Sequence, residues 1–443
     1  MRMLGSKRRP RAAALVLLLA ALSLVVVACG DEDTGGSGDK AAATPAASSE
    51  TKCGEGTGKK ATGTPIKLGA IATKQPGTDF TDIPNTTKAF FECVNDNGGV
   101  KGHPIELIVE TEQTDPGQDA SLARKLVETE KVVGIVGSLS LIECAVNHKY
   151  YEEKGFYVIS AGIAPECYGT PNNAAVNMGP RYSSDGAVQY VLRQKVDKIV
   201  FDQSNVPGTG YIAAGPALIA KDAGVPIVQL KENVPIQDAN SIAVKLVQAA
   251  GKNGAVVLNF TPPEALKILQ AAQQQGLADR VKAWGCSTPC NTDFLAKSLG
   301  TEWDNKLGVN AELNVTDHKG PHSTLYRAVM AKYGKSVTGG LGSFSQMGFT
   351  AGEIAYEALS GIEGEDYTQK SVNEAIKNVK GFETDILCKP WYYGEAPLHI
   401  PNNTDWTTTP KNGKMVIKEE CFPISDVDPA IKQVREIEAE LGL

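Results

Sequence analysis

Nine cysteines carry most of the reactive chemistry of this chain, and Cys29 stands apart from the other eight. It follows a basic start (Arg2, Lys7, Arg8, Arg9, Arg11) and an apolar run from Ala12 to Ala28 broken only by Ser23. Val26-Val27-Ala28-Cys29 has the form of a bacterial lipobox: two branched apolar residues, one small residue, then the thiol that takes up lipid when the signal is cut before it. The run is short for a membrane-spanning helix. The alternative is an uncleaved N-terminal anchor helix; either way the folded part lies outside the cytoplasm. The remaining cysteines (Cys53, Cys93, Cys144, Cys167, Cys286, Cys290, Cys388, Cys421) form an even set, as disulfides in an oxidising compartment require. Sequence leaves their connectivity open. The expected pairing is of neighbours in order: Cys53 with Cys93, Cys144 with Cys167, Cys286 with Cys290, and Cys388 with Cys421. Metal is the competing chemistry, because Cys286-x3-Cys290 and His318-x3-His322 approach zinc-ligand spacing. The 27 residues between the pairs are about twice the gap of a small finger. A large domain also has no need of a structural metal, so none is expected.

Other reactive patterns are weaker. Gly208-x-Gly210-x-x-Ala213 resembles a dinucleotide fingerprint, with Glu232 near the position of a ribose-binding acid. Its glycines fall several residues after the preceding strand, however, and read better as the opening of a helix. Gly334-Lys335-Ser336 comes nearest to a phosphate loop, but Val329 stands where the leading glycine is needed. There is no G-x-S-x-G elbow. His103, His148, His318, His322 and His399 are scattered, and Glu152-Glu153 and Glu419-Glu420 read as solvated faces. No catalytic residue and no cofactor are assigned.

The chain has 443 residues, with 44 basic and 51 acidic side chains. Five of the basic residues and none of the acidic ones precede Cys29, so the chain from Cys29 onward carries a net charge of −12. That argues against nucleic acid and anionic lipid as partners. Beyond the leader and a linker about 380 residues remain, more than one core normally serves, so two lobes are expected.

The elements that must position any site follow from hydrophobic period. Residues 29–64 are rich in Gly, Ser, Thr, Ala, Asp and Lys and read as a flexible tether, pinned late by Cys53. Strands are expected at 66–71, 105–110, 132–136 and 157–160, with helices at 85–96 and 120–129 between them. The pattern then restarts. Helices at 186–193, 210–222, 241–250 and 262–275 alternate with strands at 198–202, 227–230, 255–259 and 281–285. Thr261-Pro262-Pro263-Glu264 reads as a helix start closed by a capping box. Further helices are expected at 323–333, 346–359 and 371–379, an irregular segment from Pro390 to Pro410, and a terminal helix at 428–441. Strand–helix alternation argues for parallel sheets with helices on both faces.

Several strings together resemble the periplasmic binding proteins for leucine, isoleucine and valine. They are Asn95-Asp96-Asn97-Gly98-Gly99-Val100-Lys101-Gly102-His103-Pro104-Ile105, Gln113-Thr114-Asp115-Pro116, Val133-Gly134-Ile135-Val136-Gly137-Ser138, and Ile159-Ser160-Ala161-Gly162 with Ala164-Pro165-Glu166. The resemblance covers most of residues 66–382. It implies an α/β clamshell of two Rossmann-like lobes with parallel sheets, joined by a three-crossing hinge. The crossings would lie near Gly179-Pro180-Arg181, Leu313 to Thr316, and Ile386 to Trp391. The expected parts are a lipoprotein signal (1–28), the tether (29–64), an N-terminal lobe (65–180 with 315–386), a C-terminal lobe (181–314 with 387–425) and a terminal helix (426–443). The implied function is that of an extracytoplasmic solute-binding lipoprotein of an ABC importer. It would be a monomer anchored by lipid, partnering a membrane permease and binding a small amino-acid-like, amide or apolar organic ligand in the interlobe cleft. A ligand sensor feeding a signalling partner is the first alternative, a secreted enzyme on the same scaffold the second.

In open α/β sheets ligands bind beyond the carboxyl ends of strands. The candidate first-lobe wall is Phe80, Ser138, Ser140, Leu141, Ala161, Gly162, Ile163 and Ala164. The candidate second-lobe wall is Asn205, Tyr211, Phe260, Thr261, Ser287 and Thr288. In the amino-acid binders, hydroxyls hold the ligand carboxylate and an acid of the second lobe holds its ammonium; the matching positions here are Leu141, Ala164 and Ser287. A buried ammonium without a partner is costly. The expected ligand is therefore more neutral or apolar than a plain α-amino acid, such as an amide or a small aromatic. The lipobox reading makes its own prediction. Cys29→Ala should move the protein from the membrane to the soluble fraction, and the mature wild-type chain should begin at a lipidated Cys29 by mass spectrometry.

Overall fold

The computed structural model describes residues 53–394 and 396–443. The signal, Cys29 and most of the tether lie outside the described residues. The last part of the expected tether, 53–64, is docked on the body. The Thr57 and Ala61 amides bond to the carbonyls of Asn97 and Asn95, and Ala61 is buried. No helix among the described residues is long and apolar enough to cross a membrane.

The first sheet contains β1 (Ile66–Gln75), β2 (Thr78–Asp79), β3 (Ile105–Glu112), β4 (Gly134–Ser138), β5 (Val158–Ser160) and β6 (Asn173–Ala175). Its parallel strands run β3-β1-β4-β5-β6, and β2 folds back antiparallel on the end of β1. The second sheet contains β7 (Ile199–Ser204), β8 (Ile227–Glu232), β9 (Ala255–Asn259), β10 (Ala283–Cys286), β11 (Leu307–Ala311), β12 (Thr404–Lys411) and β13 (Lys414–Pro423). Its parallel part runs β8-β7-β9-β10-β11, so the strand order of the first sheet recurs. β12 and β13 extend it antiparallel.

Helices α1 (Asp82–Asp96), α2 (Pro116–Arg124), α3 (Glu143–Glu153), α9 (Pro321–Tyr333), α10 (Ser343–Ser360) and α11 (Gln369–Lys377) serve the first half of the molecule. Helices α4 (Gly179–Arg193), α5 (Ala214–Asp222), α6 (Ala239–Ala250), α7 (Pro262–Gln274) and α8 (Asp293–Leu299) serve the second, and α12 (Pro429–Leu441) ends the chain. Their starts follow local chemistry. Asp115, Asp238, Thr292, Thr368 and Asp428 each accept an amide of the first turn, satisfying a donor that the helix itself cannot. α1 and α10 cross closely because Gly348 lies against the Ile83 carbonyl, which a Cβ there would meet at 2.1 Å. One core gathers residues of β1, α1, β4, α9, α10 and α11, and another gathers β9, α6, α7, α8 and β11.

The sequence expectations need correction in places. α4 begins at Gly179, not near Gly186, so the first crossing is complete by Met178. The irregular segment expected from Pro390 to Pro410 contains most of β12, which pairs with β13 across Asn412-Gly413. Both turn residues have positive φ, 52° and 74°, the two-residue hairpin geometry that Asn-Gly favours. Trp391 and Tyr393 pack into the first core, and the chain joins the second sheet only at Thr404. The capping box at α7 does not form. Thr261 occupies the N-cap without a side-chain bond, and Glu264 instead accepts the Ile236 amide and pairs with Lys267.

Disulfides join Cys53 to Cys93, Cys144 to Cys167, Cys286 to Cys290, and Cys388 to Cys421. The first spans 40 residues and the third only 4. Loop-closure entropy assigns about 4 kcal/mol to the long loop and about 2 kcal/mol to the short one. Replacing Cys53 and Cys93 with alanine should therefore lower the urea midpoint more than replacing Cys286 and Cys290.

Candidate functional site

Each sheet reverses its strand order beside its first strand, between β1 and β4 in one and between β7 and β9 in the other. Loops leaving the carboxyl ends at such a reversal diverge to opposite faces and leave a crevice. Here the two crevices face each other. Between them lies a cavity of about 90 Å³, lined from the first lobe by Phe80, Leu139, Leu141, Ile163, Phe344 and Met347. Ser204, Thr209, Ile212, Asn259, Phe260, Thr261, Thr288 and Pro289 line it from the second lobe. Asn177, Gly179, Pro180, Ser183 and Glu312 complete the lining. A wider recess of about 480 Å³ adjoins it, sharing Thr261 and Phe344 and reaching Asp79, Asp82 and Glu264.

The walls touch. The Tyr211 hydroxyl donates to the Ile163 carbonyl across the cleft. Gly77, in the turn between β1 and β2, lies against Val234 and Pro235. Within the first wall, Phe80 and Phe344 meet edge to face at 5.6 Å.

The first wall is built on buried hydrogen bonds. Ser138 Oγ accepts the Ile71 amide at 3.0 Å and donates to Glu143. Ser140 Oγ donates to Glu112 at 2.9 Å and accepts the amides of Ile142 and Glu143. The Leu141 amide donates to Thr73 Oγ1 at 2.8 Å, and Thr73 in turn donates to Glu112. Ser138 and Ser140 thus spend their hydroxyls on the loop itself, and neither lines the cavity. Leu141 and Ile163 do line it. Ala161 is buried behind them. The Gly162 amide donates to Asn177 Oδ1 at 2.7 Å, and Ala164 packs with Tyr168 and the Cys144–Cys167 bridge.

Of the second-wall candidates, Phe260, Thr261 and Thr288 face the cavity. Ser287 is fully buried beneath it. Asn205 bonds to Asn233 at 2.9 Å, and Tyr211 bridges the lobes and lines a separate recess with Pro165, Tyr168 and Arg181. The zinc-like pairs are used otherwise: Cys286 is bonded to Cys290, His318 to Asp385 and His322 to Glu353.

Glu312 was missed by the sequence reading. It follows β11 by one residue, and Leu307 and Val309, alternating in a short segment, were the signal for that strand. Glu312 is the one ionisable side chain among the described residues lining the cavity. Its Oε2 accepts the Met178 amide at 2.6 Å, and burial pushes its carboxyl up to about 8. Phe344 and Met347 were also missed. They come from the first turns of α10, far from the first wall in sequence.

Beneath the first wall, burial raises both Glu143 and Asp119, and the charge of Asp119 adds to the rise of Glu143. Folding therefore takes up protons that the unfolded chain has released. Their contribution to stability is complete at acid pH and is lost as pH rises out of the ordinary carboxylate range into the neutral one. Urea unfolding between about pH 5 and pH 8 should show stability falling with pH. Glu143→Gln should flatten that slope by up to about 1.4 kcal/mol per pH unit.

Comparison with known proteins agrees with this architecture. Residues 65–414 match the family model described as periplasmic binding protein. A curated relative, an amino acid binding protein from Pseudomonas aeruginosa, is 24% identical over 215 residues, which are 47% of this chain and 56% of the relative. The match thus spans little more than half the length of that relative. Among solved structures, a branched chain amino acid ABC transporter protein from Thermus thermophilus with bound valine superposes with a TM-score of 0.72 at 16% identity, covering 84% of this chain and 99% of the other. A fatty acid ABC transporter substrate-binding protein from Thermomonospora curvata gives 0.68 at 20% identity, covering 84% and 95%. With two like-ordered sheets enclosing a cavity at their facing reversal points, and a family match over most of its length, this chain belongs to the periplasmic binding protein family.

Proposed function

We propose that this protein is the extracytoplasmic solute-binding component of an ABC importer, anchored by lipid at Cys29. Its ligand would be a small, mostly apolar organic molecule enclosed between the lobes. The observation that carries this reading is the cavity itself, walled by both lobes and lined mainly by Phe80, Leu139, Leu141, Ile163, Ile212, Phe260, Phe344 and Met347. A site split between two bodies is completed only when they close. The ligand then stabilises the closed form by its differential affinity for it. That form is what a permease would recognise, and the tether lets the anchored protein reach the permease. The curated relative is named for amino acid binding, and the structural neighbours for branched-chain amino acids and fatty acids. These support a small organic solute.

The α-amino acid subset is less well supported. The hydroxyls of Ser138 and Ser140 are committed within the loop and are not free for a ligand carboxylate. A thermal-shift screen over aliphatic and aromatic amines, amides, acids and amino acids tests the reading, because binding to the native state alone raises the melting temperature. Saturable hits confirmed by calorimetry are expected, with leucine, isoleucine and valine weaker than the best apolar compounds. Tight saturable binding of any of those three would overturn the ligand class. Failure of every small solute to bind would overturn the transport role.

A further inference from the structure

We propose that Glu312 selects the ligand: its carboxylate receives the cationic amine of a compound whose compact apolar body fills the rest of the cavity. This rests on the solute-binding reading above and narrows it to one chemical class.

The surroundings of Glu312 are those of an acceptor. Met178 donates its amide to Oε2 at 2.6 Å. Thr288 stands beside the carboxylate, and its side chain favours the charged form. Its hydroxyl oxygen accepts from Ser183 Oγ at 2.9 Å and from Asn310 Nδ2 at 3.1 Å, so its own proton is spent on neither. Neutral donors orient a carboxylate but do not balance its charge. No lysine, arginine or histidine lines the cavity among the described residues, and Arg181 is committed to Asp428 at 2.7 Å. The titratable groups that act on or feel Glu312 are Asp405 on β12 and Tyr168, neither of them cationic; beyond Asp405 lie Asp185 and Arg193 of α4, the latter paired with Glu419. A buried carboxyl so placed must take up either a proton or a cation from the cavity side.

Burial holds the carboxyl up at about 8, so at neutral pH the empty site keeps its proton. An ammonium ligand exchanges with that proton. The protonated acid and the cation give a carboxylate–ammonium pair, and the proton leaves to solvent. A carboxylate ligand would instead set like charges together. It would also find the wall amides of Leu139, Leu141 and Gly162 already donated to Ile71, Thr73 and Asn177. A simple amine therefore fits better than a zwitterionic amino acid.

The test is calorimetry at about pH 7 with benzylamine, benzyl alcohol, benzoate and phenylalanine, and with isopentylamine and leucine, in two buffers of different ionisation heat. The amines should bind at least about tenfold tighter than the alcohol or carboxylate of the same skeleton, releasing close to one proton per amine bound. Glu312→Gln should weaken amine binding about tenfold or more while changing the alcohol's affinity less than about threefold. Glu312→Asp should retain proton release. Tightest binding by benzoate, phenylalanine or leucine, or amine binding without proton release in the wild-type protein, overturns the assignment while leaving solute binding intact. An amine preference unchanged in Glu312→Gln also overturns it. Absence of binding by this series and by the wider screen would instead overturn the solute-binding reading. The wild-type proton count needs no variant to fold.

Discussion

The architecture depends on one topological constraint. In each sheet the chain adds strands first to one side of its opening strand and then to the other. The loops on either side of that reversal part, and a crevice opens where they do. Because β1 and β7 begin identical strand orders, the molecule has two such crevices. The hinge segments set them face to face. Apolar residues from both then meet around one small space, and no single loop makes it.

Much of the polar chemistry near that space serves to hold it open and shaped. Thr73, Glu112, Ser138, Ser140 and Glu143 form a buried network that fixes the first-wall loop. The bridges Cys144–Cys167 and Cys286–Cys290 lie directly behind wall residues of either lobe. Rigid walls reduce the ordering cost of closing on a ligand. Glu312 differs from these groups because one face of its environment is the cavity. Its charge balance is left to whatever enters.

Much of both halves could be read from hydrophobic period alone. Strands such as Ile66–Ile71 and Ala255–Asn259 are apolar because both faces are covered, and turn residues bound them. Where the reading fell short, the period was hidden. β12 is threonine-rich yet wholly buried over Asp405–Pro410, so its polarity suggested an irregular loop. The Asn412-Gly413 turn was the local signal that pointed to a hairpin. Thr261 caps a helix in position but not by its side chain, because it faces the cleft. Serines 138 and 140 looked like ligand donors, since sequence shows a hydroxyl but not its partner.

The sequence by itself determined the alternation of strands and helices, the repeated αβ pattern and the even set of eight cysteines after Cys29. These depend on local period, composition and short motifs. The tertiary structure alone decided which hydroxyls are spent inside the wall, that Phe344 and Met347 arrive from α10, and that Glu312 looks into the cavity. Some of those facts join residues more than a hundred positions apart, such as Met178 and Glu312. Chain folding brings such groups together, and burial then sets their charge state.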